Sequence, residues 1–358
     1  ATSFLLKPFS IEQLYYGIET ALTEMRLLEE EKSHYENLIS SNFFCGMMGK
    51  SLDMRKIYHV ITTVAPTDSP VVISGETGTG KEMVARAIHR NSERKNKAMV
   101  VIDCASLSQN LLQSELFGHV KGAFTGAVKD KPGLLKVAAD STILLDEIGE
   151  MDNAAQSQLL RFLQDGKFRP VGGTSWVKSN ARVLAATNVE LEEKIISGEF
   201  REDLYHRLNV INIHLPPLRH RREDIPLLCY FFLRKFAKRA GKSIKNISSA
   251  ALSTLMGQPW SGNVRELENT ISRAVTFCEG DTILPFHLSS SLQLKEARID
   301  DSSSLKLTDA VREAEKARIR KALQLSEGTR QEAARLLGID RITLWRKMKQ
   351  YHLDAPSD

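Results

Sequence analysis

Val71, Val72 and Ile73 lead straight into GETGTGKE, Gly75 to Glu82, and then into a helical pattern over Met83, Val84, Ala87 and Ile88. Strand, glycine-rich turn and helix N-terminus in that order make backbone N–H groups converge on a phosphate chain. The stretch therefore commits the chain to a sheet whose strand end carries a P-loop. Gly75, Gly78 and Gly80 let the backbone approach oxygens, Lys81 reaches the β- and γ-phosphates, and Glu76, Thr77, Thr79 and Glu82 complete the loop. The usual pattern closes on Lys-Ser/Thr. Here Glu82 follows the lysine, so the hydroxyl that normally holds Mg²⁺ is missing.

Further strands alternate with helical stretches: Val100–Ile102, Thr142–Leu145, Arg182–Ala186 and Val210–Leu215. Such alternation predicts an α/β fold, a parallel sheet with helices on both faces and ligands at the carboxyl ends of the strands. Ile143, Leu144 and Leu145 run into Asp146 and Glu147. A P-loop NTPase keeps its second motif at such a strand end, so Asp146 is assigned to Mg²⁺ and Glu147 to the attacking water.

With 358 residues the chain has room for two or three domains. No apolar run approaches the roughly 20 residues of a membrane span, and no basic segment followed by an apolar core opens the sequence, so a cytoplasmic chain without a membrane partner is expected. Cys45, Cys104, Cys229 and Cys278 form no CxxC pair, which suits reduced structural thiols. A formal charge of +5 is modest, so nucleic-acid binding has to come from a local cluster.

ATSFLLKPF, Ala1 to Phe9, resembles the tail of a response-regulator receiver domain, where a lysine precedes a proline. That resemblance implies an acidic pocket before residue 1 and an upstream histidine kinase. Ile11, Leu14, Ile18, Ala21, Met25, Leu28, Tyr35 and Ile39 recur at spacings of three and four, broken by Lys32, over about four heptads. The row is a coiled-coil seam that can pair two subunits, the alternative being an amphipathic helix packed on its own domain.

Between the two nucleotide motifs lies ELFGHVKGAFTGA, Glu115 to Ala127. Small, flexible residues surround an aromatic that such a loop leaves in water, the mark of a binding tip. GAFTGA inserted between GETGTGKE and LLDEIGEM resembles the bacterial enhancer-binding proteins, the NtrC-like AAA+ activators of sigma-54 RNA polymerase. The resemblance runs from Gly46 to Leu353 and implies an AAA+ ATPase using ATP and Mg²⁺. It implies that Gly122, Ala123, Phe124, Thr125, Gly126 and Ala127 contact sigma-54, with Phe124 and Thr125 central. Thr187 and Asn188 match the sensor of the γ-phosphate. FREDLYHRL, Phe200 to Leu208, matches the segment that lends Arg201 and Arg207 to a neighbouring subunit's nucleotide in a hexameric or heptameric ring. Asp103 stands where the family has an asparagine that holds the catalytic glutamate, so two acids are expected to repel there. Ser141 replaces a usual glycine and Ser261 a usual proline.

Pro216 and Pro217 open an α-helical lid. Within it WSGNVREL, Trp260 to Leu267, resembles the second sensor, with Asn263 capping a helix and Arg265 facing the nucleotide. Leu288 to Ser304 is polar and serine-rich, a linker. Thr329 is expected to cap a helix over Arg330–Leu337, Gly338 to turn the chain and Arg341–Tyr351 to form a second helix. This C-terminal all-α helix-turn-helix resembles a Fis-type domain that meets double-stranded enhancer DNA through Thr329, Arg330, Arg341, Thr343, Arg346, Lys347 and Lys349. Leu344 and Trp345 are expected in its core. The resulting organisation is a receiver remnant over 1–24, a coiled-coil linker over 25–45, the AAA+ α/β part over 46–215, the lid over 216–287, a linker over 288–306 and the DNA-binding domain over 307–354. A DNA-bound scaffold whose nucleotide only controls assembly is the main alternative, opposed by the Asp146–Glu147 pair. A general AAA+ unfoldase is the other, opposed by the loop and the DNA-binding tail.

Overall fold

Five aliphatic runs form one parallel sheet: β1 (Val71–Ser74), β2 (Val100–Asp103), β3 (Thr142–Asp146), β4 (Arg182–Thr187) and β5 (Ile211–His214). Their spatial order is β5-β1-β4-β3-β2, with Thr187 level with Ser74 and Asp103 level with Asp146. The structure is a computed structural model describing residues 41–288, 315–316, 318–319, 322–323, 326 and 329–351. The receiver-like segment and the proposed heptads fall outside the described residues. Phe43–Phe44, assigned to the linker, is a short strand paired with Met47–Met48.

Successive strand residues face opposite sides, and both sides of this sheet are covered, which is why the runs are apolar throughout. On one side Val71, Ile73, Leu144, Leu184 and Ala186 meet α1 (Leu52–Val64) and α2 (Lys81–Arg90). On the other, Val72, Ile143, Leu145, Val183 and Ala185 meet α3 (Gln109–Phe117), α4 (Leu134–Val137) and α5 (Asn153–Asp165). Leu191 of α6 (Leu191–Ile196) and Leu204 and Leu208 of α7 (Glu202–Leu208) close that second layer. Cys104 lies in it, and burial pushes its thiol up to about 12. All four cysteines are free thiols.

After β5 two short 3₁₀ turns, Leu218–His220 and Arg222–Asp224, lead into α8 (Ile225–Ala240), α9 (Ser249–Gly257) and α10 (Asn263–Phe277). Fully buried Asp224 accepts from the backbone N–H and the hydroxyl of Ser51, both at 2.8 Å, and so ties the start of α1 to the start of this helical part. Leu288, read from sequence as the first linker residue, is fully buried, and residues 285–288 are helical.

The chain divides between Leu288 and Ser289 into two compact units. In the second, α11 (Arg330–Leu336) and α12 (Arg341–Gln350) are joined by a turn with Gly338 at φ +66°. Ala333, Ala334, Leu344, Met348 and Tyr351 form its core with Ile319 and Ala322. Trp345, expected beside Leu344 in that core, is instead 53% exposed. One residue advances a helix by about 100°, so the neighbour of a buried Leu344 turns toward solvent. Among the described residues no helix is long and apolar enough to cross a membrane.

Candidate nucleotide site, tip and DNA-facing helix

The turn after β1 and the start of α2 place their backbone at the carboxyl end of the sheet. Gly80, at φ +110°, is the N-cap of α2, its carbonyl accepting the N–H groups of Met83 and Val84, which leaves those of Lys81 and Glu82 at the helix start for a ligand. Here lies a cavity of about 300 Å³ lined by Thr77, Gly78, Gly80, Lys81, Glu82, Asp146, Glu147 and Arg265, among others. Lys81 is buried; its ammonium donates to the Gly75 carbonyl at 2.9 Å and stands 3.6 Å from the Glu147 carboxylate. Thr79 is buried as well, its hydroxyl donating to the Glu76 carbonyl at 2.7 Å.

Asp146 and Glu147 separate as adjacent strand-end residues should. Glu147 sits at φ +50°, a left-handed conformation costing on the order of 1–3 kcal/mol for a residue with a Cβ. The Asp146 carboxylate accepts the Glu147 N–H at 3.1 Å, while the Glu147 carboxylate accepts the Asn188 N–H at 3.1 Å. Both carboxyls lie above their ordinary pKa, chiefly because burial strips them of water; Lys81 pulls each back toward ionisation. Glu82 carries no metal-holding hydroxyl, and its carboxylate pairs with Arg86 at 2.6 Å. The donor set therefore fits a Mg²⁺ held by Asp146 together with phosphate oxygens.

The sensor pair divides. The Asn188 amide donates to the Thr77 hydroxyl at 3.0 Å, within the P-loop, whereas buried Thr187 donates to the Val189 carbonyl at 3.1 Å. Asp103 is level with Asp146 and raises the pKa of that group; its own carboxylate accepts the Ala105 N–H at 2.9 Å. The structure sets Asp103 against Asp146, its neighbour in register.

Arg201 and Arg207 do not line this cavity. Exposed Arg201 is paired with Asp203 at 2.6 Å, and Arg207 donates to the Leu163 carbonyl at 3.1 Å. Arg207 lines a larger cavity of about 430 Å³, with Pro70, Arg94 and Arg182, at the opposite ends of the strands.

Arg219 and the lining of an apolar cavity escaped the sequence reading, and Asn263 takes another part than the one expected. Asn263 is not a cap: Gly262 is the N-cap of α10, its N–H donating to the Glu266 carboxylate at 2.8 Å. Fully buried Asn263 instead bonds Glu76 and the Thr77 carbonyl, both at 3.1 Å. Arg219 grips Glu76 with two bonds and holds its carboxyl down at about 2. Beside the phosphate cavity lies a second, largely apolar one of about 210 Å³, lined by Met47, Met48, Met83, Leu215, Arg221 and Phe231, among others. The Met-Met pair in CGMMGK was its only sequence signal.

The GAFTGA segment stands out from α3 and the sheet. Gly122, Phe124, Thr125 and Gly126 are exposed, Ala123 is half-buried and Ala127 buried. Its loop is closed by the Gly122 N–H donating to the Ala127 carbonyl at 2.9 Å, with Gly122 and Gly126 at positive φ. Phe124 is 41% exposed, its ring edge-on to that of His119 at 5.0 Å.

On α12, Arg341, Arg346 and Lys349 are exposed, and the Lys349 ammonium lies 5.3 Å from the Trp345 ring centre. Lys347 is paired with Glu315 at 2.6 Å. Asp340, not singled out from sequence, caps the helix by accepting the Thr343 N–H at 2.8 Å, and the Thr343 hydroxyl donates to the same carboxylate at 2.6 Å. Thr329 is the N-cap of α11 by position only; its hydroxyl donates to the Ser326 carbonyl at 2.8 Å. Arg330 is exposed.

A P-loop at β1, paired acids at β3, a polar residue at the end of β4 and a helical lid over the cavity define a AAA+ ATPase. The Sigma-54 interaction domain family matches residues 47–214, the AAA+ ATPase lid domain residues 219–305 and the Fis-family bacterial regulatory protein domain residues 310–351. The transcriptional regulatory protein ZraR of Klebsiella oxytoca is 42% identical over 354 residues, covering 98% of this chain and 78% of that protein. The DNA-binding transcriptional regulator NtrC of Proteus hauseri is 39% identical, over 99% of this chain and 79% of its own. The fold resembles the crystal structure of NtrX from Brucella abortus in complex with ATP, with a TM-score of 0.65 and 33% identity over 98% of this chain and 77% of that one. The chain belongs to the sigma-54-dependent transcriptional activators, with an AAA+ ATPase domain and a Fis-type helix-turn-helix for DNA.

Proposed function

We propose that this activator binds enhancer DNA, assembles into a ring and spends ATP hydrolysis on remodelling sigma-54 RNA polymerase, as a two-component response regulator under a histidine kinase. The observation that carries the reading is the composition of the phosphate cavity. Lys81, Asp146, Glu147 and Arg265 line it, yet Arg201 and Arg207 lie elsewhere on the same chain. A site that lacks its finger on one chain is completed by a neighbour.

In this reading the P-loop residues Gly75 to Glu82 bind the phosphates. Asp146 takes the Mg²⁺ that neutralises their charge, and Glu147 orients the water. Asn188, bonded both to the P-loop and to Glu147, reports the γ-phosphate. Arg201 or Arg207 of one subunit reaches the next subunit's nucleotide and contributes roughly 10³ to 10⁵ in rate. The apolar cavity beside the phosphates takes the base; that the similar NtrX was crystallised in complex with ATP supports ATP as the nucleotide. Phe124 and Thr125 push on sigma-54 from the exposed tip, and α12 enters the DNA major groove.

ATPase activity measured against protein concentration tests the shared site. The rate per subunit should rise as subunits assemble and should stay low at every concentration for Arg201→Ala. A rate per subunit that is flat across the assembly range contradicts the proposal.

A further inference from the structure

The P-loop is stitched to the lid at several points, by Arg219 and Arg221 and, most centrally, by the Asn263 side chain. The Asn263 carbonyl oxygen accepts the Leu218 N–H at 2.8 Å, and its amide donates to the Glu76 carboxylate and the Thr77 carbonyl, both at 3.1 Å. One acceptor and two donors are all the groups an asparagine amide offers, and each is used. Around this point the N–H groups of Val264 and Arg265 donate to the Gly78 carbonyl at 3.0 and 3.3 Å. A Cβ on Gly78 would lie 2.3 Å from the Gly262 carbonyl oxygen, so the two backbones touch. Arg219, next to Leu218 in the turn that opens the lid, donates at 2.8 Å to the same Glu76 oxygen that Asn263 bonds, and with its second amino group to the other oxygen.

Few side chains satisfy this position. Asn263 lies at φ +52°, a conformation open to glycine and asparagine but costly for most residues. Glycine would take the backbone without strain and lose all three bonds. Aspartate would set a second carboxylate against Glu76. Only an asparagine meets the conformational and the bonding demand together.

We infer that Asn263 is a positioning residue for ATP binding: it fixes the start of α10 to Glu76 and Thr77, so that Arg265, two residues on, is held in the phosphate cavity. The lid then follows the P-loop as one body. The inference rests on the ATP site proposed above and adds the residue that assembles it.

The test measures ATP dissociation constants of the full chain carrying Asn263→Gly, Arg265→Ala, both together, Glu76→Ala alone and with Arg265→Ala, and Lys81→Ala, each checked for folding by thermal melting. Asn263→Gly should weaken ATP binding roughly tenfold, the loss expected for a few hydrogen bonds acting through one contact. If it acts through Arg265, the double variant binds no worse than about twofold below Arg265→Ala alone. Asn263→Gly binding like the parent, or two effects that multiply in full, overturns the inference. Should Asn263→Gly not fold, Glu76→Ala decides: it removes the oxygen that Asn263 bonds and should weaken ATP binding in the parent but not further in an Arg265→Ala chain, and parental affinity or effects that multiply in full overturn the inference. Lys81→Ala separates the two failures. Loss of binding there with a parental Asn263→Gly sinks the stitch alone, whereas parental binding in both sinks the ATP reading with it.

Discussion

Glu147 combines a strained backbone with a carboxyl that burial makes reluctant to ionise, and Asp146 beside it shares the second burden. Both folded pKa values are raised, so across that window the folded chain binds more protons than the unfolded one. Stability from these groups is then greatest at low pH and is lost as pH rises through the raised values. Glu76 has the opposite sign. Its carboxyl is depressed to about 2 by Arg219 and Asn263, so its contribution is present above the ordinary glutamate value and fades as pH falls toward 2. Glu147→Gln removes a desolvated charge and leaves the Asn188 N–H an acceptor. It should therefore raise the melting temperature of the nucleotide-free chain at neutral pH, keep ATP binding and lower ATP turnover by at least about 10². A lowered melting temperature, or turnover within a few-fold of the parent, counts against the role given to Glu147. The same carboxyls predict an acid limb of the ATPase pH profile above the ordinary carboxylate range.

In α12 the capping and charge of single residues set what the helix can do. Asp340 supplies the bond to the Thr343 N–H, so Asp340→Ala should destabilise the C-terminal unit, read as a lower midpoint of chemical denaturation. Lys347 is already paired with Glu315, while Arg346 is exposed. Arg346→Ala should thus reduce the salt dependence of DNA binding by about one unit in slope, and Lys347→Ala by less. Equal slopes for the two variants would show that the ion pair with Glu315 does not outlast DNA binding. These elements also show what the sequence could carry. Strand, P-loop, paired acids and GAFTGA were readable because each is a local pattern of neighbouring residues. Asn263 was misread as a cap because its partner Glu76 lies 187 positions away and no periodicity reports it. Trp345 was misplaced because hydrophobicity marks a residue for the core only if the helix turns it there, and the hydrophobic stripe here runs through Leu344 and Met348.

In the proposed ring the sheet gives one chain two unlike edges. Lys81 and the paired acids lie at the carboxyl ends of the strands, while Arg207 lines a cavity at their starts, about 13 Å away along a four-residue strand such as β1. Arg201, the N-cap of α7, is exposed and held by Asp203, and neither it nor any residue of α7 lines the phosphate cavity. Such an arrangement suits a head-to-tail interface, in which each contact joins two different surfaces and a closed ring repeats it. Subunit mixing follows from that geometry. A chain with Lys81→Ala has no working phosphate site but keeps its fingers; a chain with Arg201→Ala has the reverse. Each alone should be nearly inactive as an ATPase. Mixed in equal amounts before assembly, about a quarter of the contacts pair an intact phosphate site with an intact finger, so activity should return toward a quarter of the parent. Activity of Arg201→Ala alone close to that of the parent, or a mixture as inactive as its components, would mean that the finger and the phosphates are not shared between subunits in this way.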